Sequence, residues 1–281
     1  MKRKKIMIHR LKEILADSTE KILCKTTDLL ISGYPQSRPD KKRLVNCKII
    51  SHRGEHDNRG VFENTLKAFD KALENGIFGI EFDLRWTKDL IPVVFHDRNT
   101  KRLFKKNLNI NETSFSDLKS SIPEIPSLPE IILRYGRKLH LMVEIKEEFY
   151  PDPVHQAGVL KDLFSALEPA KDYHLISLSP GIFNIIDFVP ETAFLPVARF
   201  NIDRISEIAL KNNYGGIAGH YLLISDSVFK KHTDKNQKIG TGFIGSQNSL
   251  FRELNRGTEW IFSNNAAKLQ AIVATTVKGQ I

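Results

Sequence analysis

Strand-like apolar runs alternate with helix-like stretches from residue 45 to the C-terminus, and this alternation constrains the fold more than any other feature of the chain. The strand-like runs are 47–52, 78–83, 92–96, 139–145, 173–178, 193–197, 215–219, 237–242 and 259–263. The helical stretches are 63–75, 127–136, 155–167, 180–187, 202–211, 226–233 and 247–256. Such alternation favours a parallel sheet covered by helices, and about 250 residues of it suit a closed barrel better than an open sheet. The expected fold is α/β, a single (β/α)8 TIM barrel over residues 45–281 behind a basic N-terminal helical extension, residues 1–44. Nine runs exceed eight places by one. The weakest is 215–219, whose glycines would equally suit a loop. Residues 98–126, polar and turn-rich, form the one long connection and are expected to overhang the site.

Four of the runs close on charged residues: His52 and Arg53 after KII, Glu81 and Asp83 in GIEFDL, His96 and Asp97 after PVVF, and Glu144 and Lys146 in LHLMVEIK. An unpaired charge at the end of a buried strand costs several kcal/mol, of the order of 2–7 even for a merely polar group. Side chains alternate between faces along a strand, so Glu81 shares a face with Asp83, and Glu144 with Lys146. A single E-x-D or E-x-K is usually a solvated face or a salt bridge; four such endings in series point to a site. Converging carboxylates suit a hard cation, and two histidines suit general acid/base work. Arg and Lys beside them suit a phosphate.

These residues also carry a resemblance. HRG at His52 to Gly54, ENT at Glu63 to Thr65, then IEFDL, TKD, PVVFHD and VEIK follow in the order of the glycerophosphodiester phosphodiesterase family, a member of the phosphatidylinositol-phospholipase-C-like phosphodiesterase superfamily. The resemblance covers about a third of the chain, Ile49 to Lys146, with GTEWIFSNN near the end similar to the family's closing strand. It implies a (β/α)8 barrel, one divalent metal ion and phosphodiester cleavage. Position by position, it implies Glu81, Asp83 and Glu144 as metal ligands, Arg53 and Lys146 as phosphate-binding cations, and His52 and His96 as the catalytic acid/base pair. Glu63 and Asn64 would either cap the following helix or support Arg53 and the phosphate. Oxygen ligands without cysteine favour Mg²⁺ or Ca²⁺ over zinc. Asp97 reads as an orienting group, while His140, His155, His174, His220 and His232 read as structural.

The expected reaction is metal-dependent hydrolysis of a glycerophosphodiester to an alcohol and glycerol phosphate. A lysophospholipase D-like activity on lipid substrates is the alternative, with an apolar groove lined by 181–200. A catalytically silent phosphodiester-binding barrel is the reading from another class. Ile239–Gly245 stands where many members carry a Trp-Thr strand, which leaves the alcohol pocket undefined.

Charge separates the two parts of the chain. Residues 1–43 hold twelve Lys/Arg against five Asp/Glu, a net of +7 of the chain's +9. Basicity is therefore local and does not imply nucleic-acid binding, and no series of aromatic residues interleaves with those bases. Helical spacing over 6–31 leaves three readings open: packing on the barrel, peripheral contact of residues 1–31 with an anionic membrane, or a solvated arm. No apolar run is long enough for a membrane span, which leads to the expectation of a cytoplasmic protein, peripheral at the membrane if the extension docks there. The oligomeric state is not readable. Cys24 and Cys47 have no metal-binding spacing and read as structural.

Overall fold

The computed structural model describes residues 31–279. In chain order its strands are β1 (Lys48–His52), β2 (Gly79–Trp86), β3 (Pro92–Val94), β4 (His140–Ile145), β5 (Tyr173–Ser177), β6 (Phe194–Ala198), β7 (Gly216–His220), β8 (Lys238–Gly242) and β9 (Trp260–Ser263). Eight of them are parallel, each paired with the next around a ring that closes where β1 meets both β2 and β9. The result is a (β/α)8 barrel. Its bore is filled by Ile50, Met142, Ile176, Leu195, Ala218, Trp260 and Phe262. A larger apolar shell lies between the strands and the outer helices, with Ile80, Phe82, Leu84, Val143 and Ile261 among its strand residues.

The surplus strand is β3 and not 215–219. β3 runs antiparallel to β2, with Leu84 opposite Val94 and Trp86 opposite Pro92, so it folds back outside the ring. The run 215–219 is a barrel strand, β7. Its glycines are there because backbones approach closely: a Cβ on Gly216 would lie 1.8 Å from the Lys238 carbonyl oxygen, and one on Gly215 would lie 2.1 Å from that of Thr192. Close approach of a neighbouring backbone is one reason glycine occupies a strand interior, and a propensity reading takes it for a loop.

Three other elements differ from expectation. Residues 180–187 form a 3₁₀ helix, Pro180–Ile185. A helix outside the periodicity reading, Ala266–Lys278, buries Leu269 and Val273 against the shell. The connection 98–126 carries two short helices, Lys101–Phe104 and Phe115–Ser121, and Leu103, Ile110, Leu118, Ile122 and Ile125 give it a core with Val93 and Phe95. Within the segment 181–200, Phe183 and Phe194 are core residues, stacked at 4.5 Å between ring centroids with Tyr214 edge-on to both, whereas Phe200 is exposed.

The chain enters along the last helices. Asn248 donates to the Ser32 carbonyl at 2.7 Å, Asn255 to that of Ser37 at 2.8 Å, and Arg43 to that of Asn255 at 2.6 Å. The expected helices over 6–31 and the membrane contact of residues 1–31 fall, Ile31 excepted, outside the described residues, as does Cys24. Cys47 is free, and burial pushes its thiol up to about 12. Among the described residues no helix is long and apolar enough to cross a membrane.

Candidate active site

Strand register assembles the site. In β2 the sequence GIEFDLRW sends Ile80, Phe82, Leu84 and Trp86 outward into the apolar shell. The alternation then turns Glu81, Asp83 and Arg85 inward. Across β1–β2, His52 lies opposite Glu81, and across β2–β4, Asp83 lies opposite Glu144. All sit at the carboxyl end of the barrel, where side chains from different strands converge. Ligand oxygens of Glu81, Asp83 and Glu144 come within 4.8 Å of one another, all three residues buried.

Two cations share that layer. Lys146 Nζ is 2.6 Å from both Asp83 Oδ1 and Glu144 Oε1. Arg53 places Nε 3.1 Å from Asp83 Oδ2 and Nη1 3.1 Å from Glu63 Oε1. Asn64 completes Asp83 by donating to Oδ2 at 2.7 Å. Burial alone would raise the Asp83 carboxyl, but Arg53 and Lys146 hold it well below the usual range. Burial likewise opposes the charge on Lys146, and Asp83 and Glu144 outweigh it, leaving the ammonium raised.

Glu81 is different. Burial, with Asp83 and Glu144 as like charges beside it, pushes its carboxyl well above the usual range. The neighbouring ring Nε2 of His52, 3.7 Å away, is a poor counter-charge because burial and Arg53 pull that imidazole down to about 3. A buried carboxylate without a matching cation, in a cluster made only of oxygen ligands, fits a hard divalent ion.

The two histidines are held differently. His52 donates from Nδ1 to Asn264 Oδ1 at 2.6 Å, which leaves Nε2 as its basic nitrogen on the Glu81 side. His96 donates from Nδ1 to Asp97 Oδ1 at 2.7 Å. His96 does not stand at the end of a barrel strand; the returning strand β3 delivers it, with the Phe95 amide on the Asp83 carbonyl at 2.9 Å and Arg85 Nε on the His96 carbonyl at 2.8 Å. Burial, then Lys146, lowers its pKa.

Glu63 and Asn64 do not cap the following helix, Leu66–Glu74; Thr65 does, accepting from the Ala68 amide. That frees Glu63 to join Arg53 to the connection 98–126, where Arg102 donates to Glu63 Oε1 and to Asp97 Oδ2, both at 2.6 Å. Burial would raise Glu63, and Arg102 and Arg53 bring it down to about 2. A continuous ionic chain thus runs from Lys146 through Asp83, Arg53, Glu63, Arg102 and Asp97 to His96.

The sequence reading did not include Asn264, Arg102, Arg85 or Phe243. Asn264 had a signal: it follows the closing WIFS run, and Ser263 pairs in register with Ser51, which sets residue 264 beside His52. Arg102 had none, because a lone arginine in a polar stretch has no period to follow. Phe243 adopts φ 68°, uncommon for a bulky residue, and sets its ring edge-on to His52 at 6.2 Å and stacked on His220 at 5.7 Å.

Known proteins are similar to this chain in sequence and in fold. The model of the glycerophosphoryl diester phosphodiesterase family matches residues 52–184. A glycerophosphodiester phosphodiesterase of Caldanaerobacter subterraneus subsp. tengcongensis is 37% identical over 132 residues, 43% of this chain and 52% of that protein. A lysophospholipase D of Homo sapiens is 32% identical over 133 residues, 46% of this chain and 42% of that protein. The matched stretch therefore spans about half of these relatives' own length. A glycerophosphodiester phosphodiesterase structure from Thermotoga maritima shares the fold, with a TM-score of 0.68 at 20% identity over 80% of this chain and 98% of that one. Motif order, barrel topology and these likenesses agree: the chain belongs to the glycerophosphoryl diester phosphodiesterase family.

Proposed function

We propose that the protein hydrolyses a glycerophosphodiester to an alcohol and glycerol phosphate, with one divalent ion, Mg²⁺ or Ca²⁺, held by Glu81, Asp83 and Glu144. The observation that carries this reading is the buried carboxylate trio flanked by two imidazoles whose Nδ1 atoms are both engaged. When bound, the ion supplies Lewis-acid polarisation of a phosphoryl oxygen. Arg53 and Lys146 offset the remaining phosphate charge, Arg53 through its planar fork.

The partners of the histidines divide their work. Asn264 is neutral and fixes His52 with Nε2 as acceptor, which suits it to take the proton from the attacking hydroxyl. Asp97 is anionic and offsets part of the burial that disfavours a charged His96, which suits His96 better than His52 to give a proton to the leaving alcohol. In the first step the glycerol hydroxyl next to the ester forms a bond to phosphorus, its proton passes to His52, and the bond to the leaving oxygen breaks as His96 protonates it. Water then opens the cyclic phosphate, with His96 accepting the water proton and His52 returning its own to the ring oxygen.

A second reading, hydrolysis of lysophospholipids, draws on the human relative and on exposed apolar side chains after β4 and β6, Phe149 at 83% and Phe200 at 59% exposure. Phosphodiester turnover by purified protein, on glycerophosphocholine and a lysophospholipid, ranks the two. EDTA should abolish it. His52→Ala or His96→Ala should lower turnover by about 10²–10⁴-fold, with circular dichroism and metal-induced stabilisation retained. Unchanged rates in both variants overturn the assignment.

A further inference from the structure

One layer above the carboxylates, two residues further along β2 and four past Glu144, stand Arg85 and Glu148. Arg85 Nη1 donates to Glu148 Oε2 at 2.6 Å, and Glu148 Oε1 accepts the Trp86 amide at 3.2 Å. This pair walls a cavity of about 140 Å³ that Arg98, Ile110, Asn111 and Phe149 complete. At about 30 Å³ for each water in the liquid, it has room for a small polar group of four or five heavy atoms. The cavity adjoins the segment that carries His96: Arg85 holds the His96 carbonyl, and Arg98 follows two residues on.

Its charge is lopsided. Two guanidiniums face one carboxylate, and that carboxylate is committed to Arg85. Among the described residues the exposed Arg98 guanidinium has one hydrogen-bond contact, to the Glu147 carbonyl at 3.4 Å. A guanidinium without a carboxylate partner is a fork for a carboxylate or phosphate. The glycerol moiety is neutral and would gain little from it.

We infer that this cavity receives the leaving alcohol, and that Arg98 selects alcohols bearing an anionic group, either a carboxylate or a second phosphate. The inference rests on the phosphodiesterase reading above and places the alcohol on the His96 side of the phosphorus. Arg85, fixed between Glu148 and the His96 carbonyl, has its charge offset by Glu148 and holds the cavity wall in place, leaving Arg98 as the free cation among the described residues of the cavity. Phe149, at the rim, can cover the group once it has entered.

The test uses the full chain loaded with Mg²⁺ or Ca²⁺ and measures kcat/KM for glycerophosphoserine and glycerophosphoethanolamine, which differ only by the carboxylate. Glycerophosphoglycerol phosphate provides the phosphate arm. The wild-type protein should prefer an anionic alcohol by about tenfold, the scale of one charged hydrogen bond. Arg98→Ala should bring that ratio close to one, mainly through KM, and Arg98→Lys should restore part of it. Lys101→Ala removes an exposed charge nearby that does not line the cavity, and should keep the ratio. Preference for the phosphate arm alone supports the site and names phosphate as its ligand. A wild-type ratio near one for both arms, or a ratio that survives Arg98→Ala, overturns the inference while leaving the phosphodiesterase reading intact. Absence of turnover on every substrate overturns both.

Discussion

The two ends of the barrel bore both bury titratable side chains, and they do so in opposite ways. At the amino end, His140 donates from Nδ1 to the Lys171 carbonyl at 2.9 Å and accepts from His174 Nδ1 at 2.9 Å, with Phe78 stacked on His140 and Trp260 edge-on to His174. Burial pulls both imidazoles down, to about 4 and about 3, so each sits neutral and hydrogen-bonded. At the carboxyl end, charges are buried in chains of ion pairs, and one carboxylate, Glu81, lacks a matching cation. Polar groups that satisfy one another hold a structure together. Buried charges that do not balance mark a candidate functional site.

Variants can break that contrast. The largest effect belongs to Glu81→Gln, which should eliminate turnover and weaken metal-induced stabilisation, since it removes one of the three proposed ligands. The same change relieves like-charge crowding, so in EDTA the variant should be more stable than the parent by about 1–2 kcal/mol in urea titrations. A loss of stability there would mean that Glu81 is balanced by groups other than a metal. Arg102→Ala comes next: with Asp97 and Glu63 no longer bridged, kcat should fall by about tenfold with a smaller change in KM, and Arg102→Lys should recover little because a point charge cannot bridge two carboxylates.

The amino end yields the smallest effect and a signed pH dependence. His140 and His174 have folded-state pKa values below the ordinary 6.5, so the unfolded chain takes up protons first as pH falls. Their contribution to stability is complete above about pH 6.5 and is lost as pH falls through about 4 for His140 and about 3 for His174. Replacing both, as in His140→Leu with His174→Met, should flatten that part of the stability profile and leave activity at neutral pH nearly unchanged. An equally steep profile in the double variant would assign the acid sensitivity to other groups.

The fold was legible where periodicity is strong. Seven of the eight barrel strands were plain from their apolar runs; β7 was not, because its glycines answer to a neighbouring backbone, which a propensity cannot see. β3 looked like a barrel strand because PVVF is as apolar as the rest, and only pairing direction separates it. Within the site, residues on strands could be placed from alternation alone, as Glu81, Asp83 and Glu144 show. Asn264 needed the register between β1 and β9, and Arg102 needed a helix inside a stretch that reads as loop. Long-range pairing decides both, and a local pattern does not carry it.

The hairpin that delivers His96 sets what the chain can tolerate on either side of it. The turn from Thr87 to Ile91 is closed by its own TKD residues: the Thr87 hydroxyl donates to Asp89 at 2.6 Å and accepts the Ile91 amide at 3.0 Å, while the Thr87 amide reaches the Ile91 carbonyl at 3.1 Å. Because side chains alternate along β3, one residue added or removed in this turn would turn His96 away from its present place beside Asp97. Beyond His96 no such parity applies, so the following connection can lengthen or shorten between its fixed points, as long as Arg98, Ile110 and Asn111 still wall the cavity and Arg102 still reaches back. One flank of this histidine is a fixed ruler, and the other is open ground for change.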